Sequence, residues 1–85
     1  MDLMKKGLEM SKDKPEVGDI WKANRSGIVF YLSAIDVRDI HRMFSMAQDG
    51  RTKRILIDNY FLMDNTYLGK SKANINDLFK TENEE

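Results

Sequence analysis

The chain has no cysteine, one proline, one histidine and five glycines among its 85 residues. Without cysteine there is no disulfide framework, no thiolate zinc site and no cysteine nucleophile. A single imidazole excludes a histidine-rich metal site within one chain. The glycines stand apart at positions 7, 18, 27, 50 and 69, so no glycine-rich loop cradles a phosphate and nucleotide binding of the P-loop or Rossmann type is not expected. The longest apolar run, Ile28 to Leu32, is strand-sized and far short of the roughly 18 residues of a membrane span. Lys5 and Lys6 are not followed by an apolar stretch of signal-peptide length, so a cytoplasmic location is expected, with no membrane partner. An excess of one charge is missing too. Fourteen Lys and Arg balance fourteen Asp and Glu, leaving no global field to draw in nucleic acid or an anionic surface.

What is present is the composition of one small globular domain, 41% hydrophobic and 33% charged. A chain of this size buries only about 60% of its unfolded surface, so its stability margin is small. Residues 1–14 place Met4 and Leu8 one helical turn apart among lysines, but Gly7 costs a helix about 1 kcal/mol, and a flexible leader is expected. Pro15 opens the folded part, expected as a single domain over 15–80, and the tail 81–85, with its three glutamates, is expected to be disordered.

Within that domain, Val17 to Ala23 alternates loosely and Asn24-Arg25-Ser26-Gly27 is turn chemistry. Ile28-Val29-Phe30-Tyr31-Leu32 is β-branched and aromatic on both faces, the pattern of a strand covered on both sides. Residues 33–48 support two readings. At helical period Val37, Ile40, Phe44 and Ala47 form a stripe, with Ser33 and Asp36 as a capping pair. At period two the same stretch is a strand that meets Thr52–Asp58 across an Asp49-Gly50 hairpin turn. Asn59–Asn65 reads as a short 3₁₀ turn or bent strand, Thr66–Gly69 as a final short strand, and Asn74 as the N-cap of a short helix with Ile75, Leu78 and Phe79 on one face.

The β reading places strands near 18–23, 28–35, 40–48, 52–58 and 66–69. That is the layout of a mostly-β, small SH3-like barrel with a short C-terminal helix. The alternative is an α+β fold with a helix at 34–48 packed on a small sheet. Trp21, Phe30, Phe44 and Phe61 are the expected core aromatics, and Tyr60 and Tyr67 the expected exposed ones. The run Pro15-Glu16-Val17-Gly18-Asp19-Ile20-Trp21 resembles the opening strand of MazF/PemK-type toxins, which are SH3-like barrels. The resemblance covers those seven residues. The Arg-Pro strand that follows in those toxins has no counterpart, since no proline follows Pro15, so their ribonuclease activity is not implied.

No catalytic set assembles around the remaining polar residues. His41 has Asp36 and Asp39 nearby in sequence but no nucleophile elbow. Asp36, Asp39, Asp58 and Asp64 lack the alternation of a calcium loop and suit turns. No enzyme activity, cofactor or metal is therefore expected. The densest basic feature is Arg51-Thr52-Lys53-Arg54, followed by Lys70 and Lys72; the chain without its three tail glutamates carries 14 basic and 11 acidic residues, a net of +3. The expected function is a non-enzymatic protein-interaction module in which Tyr67, Arg54 and Lys53 form an aromatic patch with a charged rim. A small regulator of phage or mobile-element origin, occupying a surface of a host protein, fits that expectation. The rival is a nucleic-acid-binding barrel that uses Arg51, Lys53, Arg54, Lys70 and Lys72 on phosphates, with Lys22 and Arg25 beside them. Basic side chains on an edge strand also serve simply to keep like edges apart. A homodimer is a further use of the apolar surplus.

Overall fold

The computed structural model describes residues 12–72 and 75–82. Five antiparallel strands form one open sheet: β1 (Asp19–Ala23), β2 (Val29–Ile35), β3 (Arg42–Ala47), β4 (Thr52–Leu56) and β5 (Asn65–Lys70), in the order β4-β3-β2-β1-β5. A six-residue helix, α1 (Asn59–Asp64), joins β4 to β5, and a 3₁₀ turn at Ile75–Asp77 stands where a C-terminal helix was expected. This is a small mostly-β, barrel-like fold. Asn74, the expected cap, lies outside the described residues.

Residues 34–48 do not form a helix, and Arg42–Ala47 is strand β3, between the edge strand β4 and the central β2. The reason lies in Asp36 and Asp39, whose carboxylates bond their own backbone. Asp36 accepts from the Arg38 N–H at 2.9 Å and Asp39 from the His41 N–H at 3.1 Å. Short acidic side chains that satisfy local amides in this way favour turns over helix. The turn leaves half of the would-be helical stripe outside the core, with Val37 92% and Ile40 76% exposed.

Glycine conformations close two hairpins. Gly50 (φ +89°) ends the β3–β4 turn, its N–H donating to the Ala47 carbonyl at 2.9 Å, while the Ala47 N–H donates to the Arg51 carbonyl at 2.8 Å. Gly27 (φ +77°) plays the same part between β1 and β2. Helix α1 forms because Asp58 caps it, accepting from the Phe61 N–H at 3.0 Å. Its far end is held by Asn24, which donates from the side chain to the Met63 carbonyl at 3.1 Å and from the backbone to the Asp64 carbonyl at 2.8 Å. Register shifts after Ile20 in β1 and after Leu32 in β2 bend these two strands.

The core is Trp21, Phe30, Leu32, Met43 and Phe61. Phe61 from α1 meets Trp21 edge-on at a ring separation of 4.9 Å, and Trp21 packs on Tyr67 at 5.2 Å. Burying an aliphatic or aromatic side chain of this kind contributes about 1.5–3 kcal/mol, so these five supply much of the cohesion. Phe44, expected in the core, is only half-buried, because it lies on the outer face of β3 opposite Arg54. Tyr67, expected at the surface, is half-buried against Trp21. β2 is covered on one face only: Phe30 and Leu32 are buried, whereas Val29 and Tyr31 are half-exposed.

The folded chain reaches back beyond Pro15, since Lys12 bonds the buried Asp19 carboxylate at 2.9 Å. Residues 1–11 of the expected leader lie outside the described residues. At the other end, Thr81 and Glu82 are not disordered. Thr81 is buried and bridged to Ser71, and the Glu82 N–H donates to the Lys70 carbonyl at 2.8 Å. This returning segment lies on Gly69, where a Cβ would sit 2.8 Å from Thr81 Cγ2.

Candidate functional site

The six basic and aromatic residues expected at a recognition surface are divided by the sheet. Arg51, Lys53 and Arg54 belong to the β4 edge, while Tyr67, Lys70 and Lys72 belong to the β5 edge, with β3, β2 and β1 between them. Strand alternation divides the first group again. Lys53 lies opposite the buried Ser45, on the inner face with Ile55, whereas Arg54 lies opposite Phe44 on the outer face.

Most of these cations already have partners. Arg51 pairs with Asp49 across the hairpin turn at 3.0 Å. Arg54 donates through Nε to Asp36, which is buried. The Arg38 amide and then the Arg54 guanidinium hold the Asp36 carboxyl below the usual aspartate range. Lys70 donates to the buried Asp19 at 2.8 Å, and Asp19 also receives Lys12 and the Glu16 amide. Burial alone would lower the Lys12 pKa, but hydrogen bonds to Glu16 and Asp19 outweigh it and raise the ammonium above its ordinary value. The Lys12 ammonium also stands 5.1 Å from the centre of the Tyr67 ring. The Tyr67 hydroxyl is raised as well, chiefly by burial and then by Asp19. The β5 edge is thus a structural clasp, and Tyr67 is part of it. Lys53 has no acidic partner among the described residues.

The concave feature of this end of the molecule is an open groove of about 490 Å³ between β4, α1 and the β1–β2 hairpin. Its apolar floor is Ile28, Phe30, Ile55 and Phe61, and Tyr60 stands at its margin, 68% exposed. Arg51 and Lys53 line its β4 side, and Asp58 and Asp64 its α1 side. Ser45 and Ala47 of β3 and Phe30 of β2 line it with Lys53 and Ile55, so the groove runs over the inner face of the sheet, and Thr52 and Leu56 carry it to the edge at β4. Of the lining residues, Arg51, Lys53 and the exposed Tyr60 were legible in the sequence. The floor was not, because Ile28, Ile55 and Phe61 read simply as strand and core residues.

His41 is exposed, with its backbone N–H on Asp39 and its carbonyl on the Ile57 N–H. Among the described residues no group of three His, Asp or Glu side chains is placed to hold a metal ion. No helix among them is long and apolar enough to cross a membrane. No family model, curated protein or solved structure matches this chain.

Proposed function

We propose that this chain is a non-enzymatic interaction module that holds a segment of a partner protein in the groove between β4 and α1. The observation that carries this reading is the groove itself: the sheet stays open between β4 and β5, and aromatic and aliphatic side chains face the gap. A concave apolar floor with a few charges at its margin is the usual anatomy of a recognition site. A small regulator that occupies a surface of a host protein would act through such a feature. The nucleic-acid reading has less support, because Arg51, Arg54 and Lys70 are engaged by Asp49, Asp36 and Asp19, and the basic groups sit on opposite edges.

The test is affinity capture from bacterial lysate with the wild-type chain and with Tyr60→Ala and Ile28→Asp, each with and without nuclease. A discrete protein captured by the wild type, unaffected by nuclease and lost with both groove variants, is the expected result. Capture that disappears with nuclease and survives both variants overturns the reading in favour of nucleic acid.

A further inference from the structure

The free side of β4 defines what kind of segment the groove takes. In the β3–β4 ladder the Arg51 carbonyl accepts from Ala47 and the Ile57 N–H donates to His41 at 2.7 Å. With no register shift between them, residues 51, 53, 55 and 57 turn their backbone groups toward β3. Thr52, Arg54 and Leu56 therefore turn theirs away from the sheet, toward the side where β4 has no neighbour among the described residues. That row of donors and acceptors runs beside the apolar groove.

An edge of this kind is ordinarily guarded by charge. On β4 and its turn two of the guarding cations are already engaged, Arg51 by Asp49 at the exposed turn and Arg54 by the buried Asp36. What remains is Lys53, which faces the groove without a counter-ion among the described residues.

We infer, building on the groove reading above, that β4 accepts an extended acidic–apolar peptide as a sixth strand. Main-chain bonds form to Thr52, Arg54 and Leu56. The added strand lies about 4.8 Å from β4, so its side chains pair directly with those of β4. The residue opposite Lys53 is Asp or Glu. The residue opposite Ile55, two positions away, is aliphatic and enters the groove over Phe30 and Phe61. Acidic character is favoured only on the β4 side, because Asp58 and Asp64 line the far wall. A second copy of this chain would bring the same basic β4 against Lys53, so complementarity points to a different, acidic segment.

The experiment is a titration of the ¹⁵N-labelled full chain with the synthetic peptide acetyl-Thr-Ile-Thr-Glu-Thr-Ile-Thr-amide, followed by amide shifts and hydrogen exchange. Expected are shifts across β4 with slowed exchange at the Thr52, Arg54 and Leu56 amides. Lys53→Glu should weaken binding about threefold or more, and a peptide with Lys in place of Glu should recover it on that variant. Shifts at Ile28 and Tyr60 without protection of the three edge amides overturn strand addition and leave the groove reading standing. No shift at millimolar peptide overturns the proposal for this acidic–apolar class, while capture through the groove in the preceding test would still stand. Edge protection that rises with protein concentration, without peptide, overturns it in favour of self-pairing.

Discussion

The guanidinium of Arg54, on the outer face of β4, donates to the buried carboxylate of Asp36 in the β2–β3 loop. One ion pair thereby ties the edge strand to the loop that separates β2 from β3, and Asp36 also caps the loop through the Arg38 amide. Removing Asp36 leaves the Arg38 amide without its acceptor and frees both guanidinium groups at once, whereas removing Arg54 leaves the carboxylate the Arg38 amide and the Arg38 guanidinium at 3.6 Å. Asp36→Ala is therefore expected to lower the urea midpoint more than Arg54→Ala. Equal midpoints for the two variants would show that the amide contributes nothing.

The same pair sets a pH dependence. Held below the ordinary aspartate range by the Arg38 amide and the Arg54 guanidinium, Asp36 stabilises the fold above that range. The contribution is lost as pH falls below about 4 and the carboxylate is protonated in the folded state. Urea midpoints of the wild type should decline more steeply in that acid window than those of Asp36→Asn.

At alkaline pH the clasp around Asp19 takes over. Lys12 has its pKa raised in the fold, so its contribution is complete below the ordinary lysine value and fades as pH rises through the raised one. Lys12→Met should flatten the decline of stability above about pH 10.5 relative to wild type.

Gly69 carries a steric prediction. Its φ of +139° and the approach of Thr81 leave no room for a Cβ, so Gly69→Ala should cost about 1–3 kcal/mol. Adding Thr81→Ser removes the methyl in collision, and a double-mutant cycle should recover part of that cost while the φ strain persists.

Core and loop substitutions should separate cleanly. Leu32→Ala, at a fully buried position, is expected to cost about 2–5 kcal/mol, and Phe44→Ala less. Val37→Ser and Ile40→Ser, at exposed loop positions, should stay within about 0.5 kcal/mol of wild type. A large loss at Val37 would contradict the loop.

The hairpin signals explain why most strands were legible. Asn24 to Gly27 and Asp49-Gly50 demand backbone conformations that glycine supplies at the end of each turn, and the flanking apolar runs can then only pair. Residues 34–48 were ambiguous because Val37, Ile40, Phe44 and Ala47 fit a helical period, while the residues around Phe44 also alternate as a strand; in the fold Val37 and Ile40 fall in the loop before β3. The burial of Phe44 was overestimated for a related reason: a strand pattern states which residues share a face, not which face meets the core.

Composition and local pattern, read along the chain, determined four of the strands, the two glycine turns, and the absence of cysteine, glycine-loop and long apolar-run chemistry, but not the strand at 42–47 or the helix at 59–64. Those properties depend on neighbours within a few residues. Tertiary structure alone decided which charges are free. Arg54 finds Asp36 eighteen positions away and Lys70 finds Asp19 fifty-one positions away, so of a basic run that looked continuous in sequence Arg51 and Lys53 line the groove, and of these Lys53 has no acidic partner among the described residues. The groove has the same origin, since Ile28, Ile55 and Phe61 converge from three elements around a sheet edge that stays open.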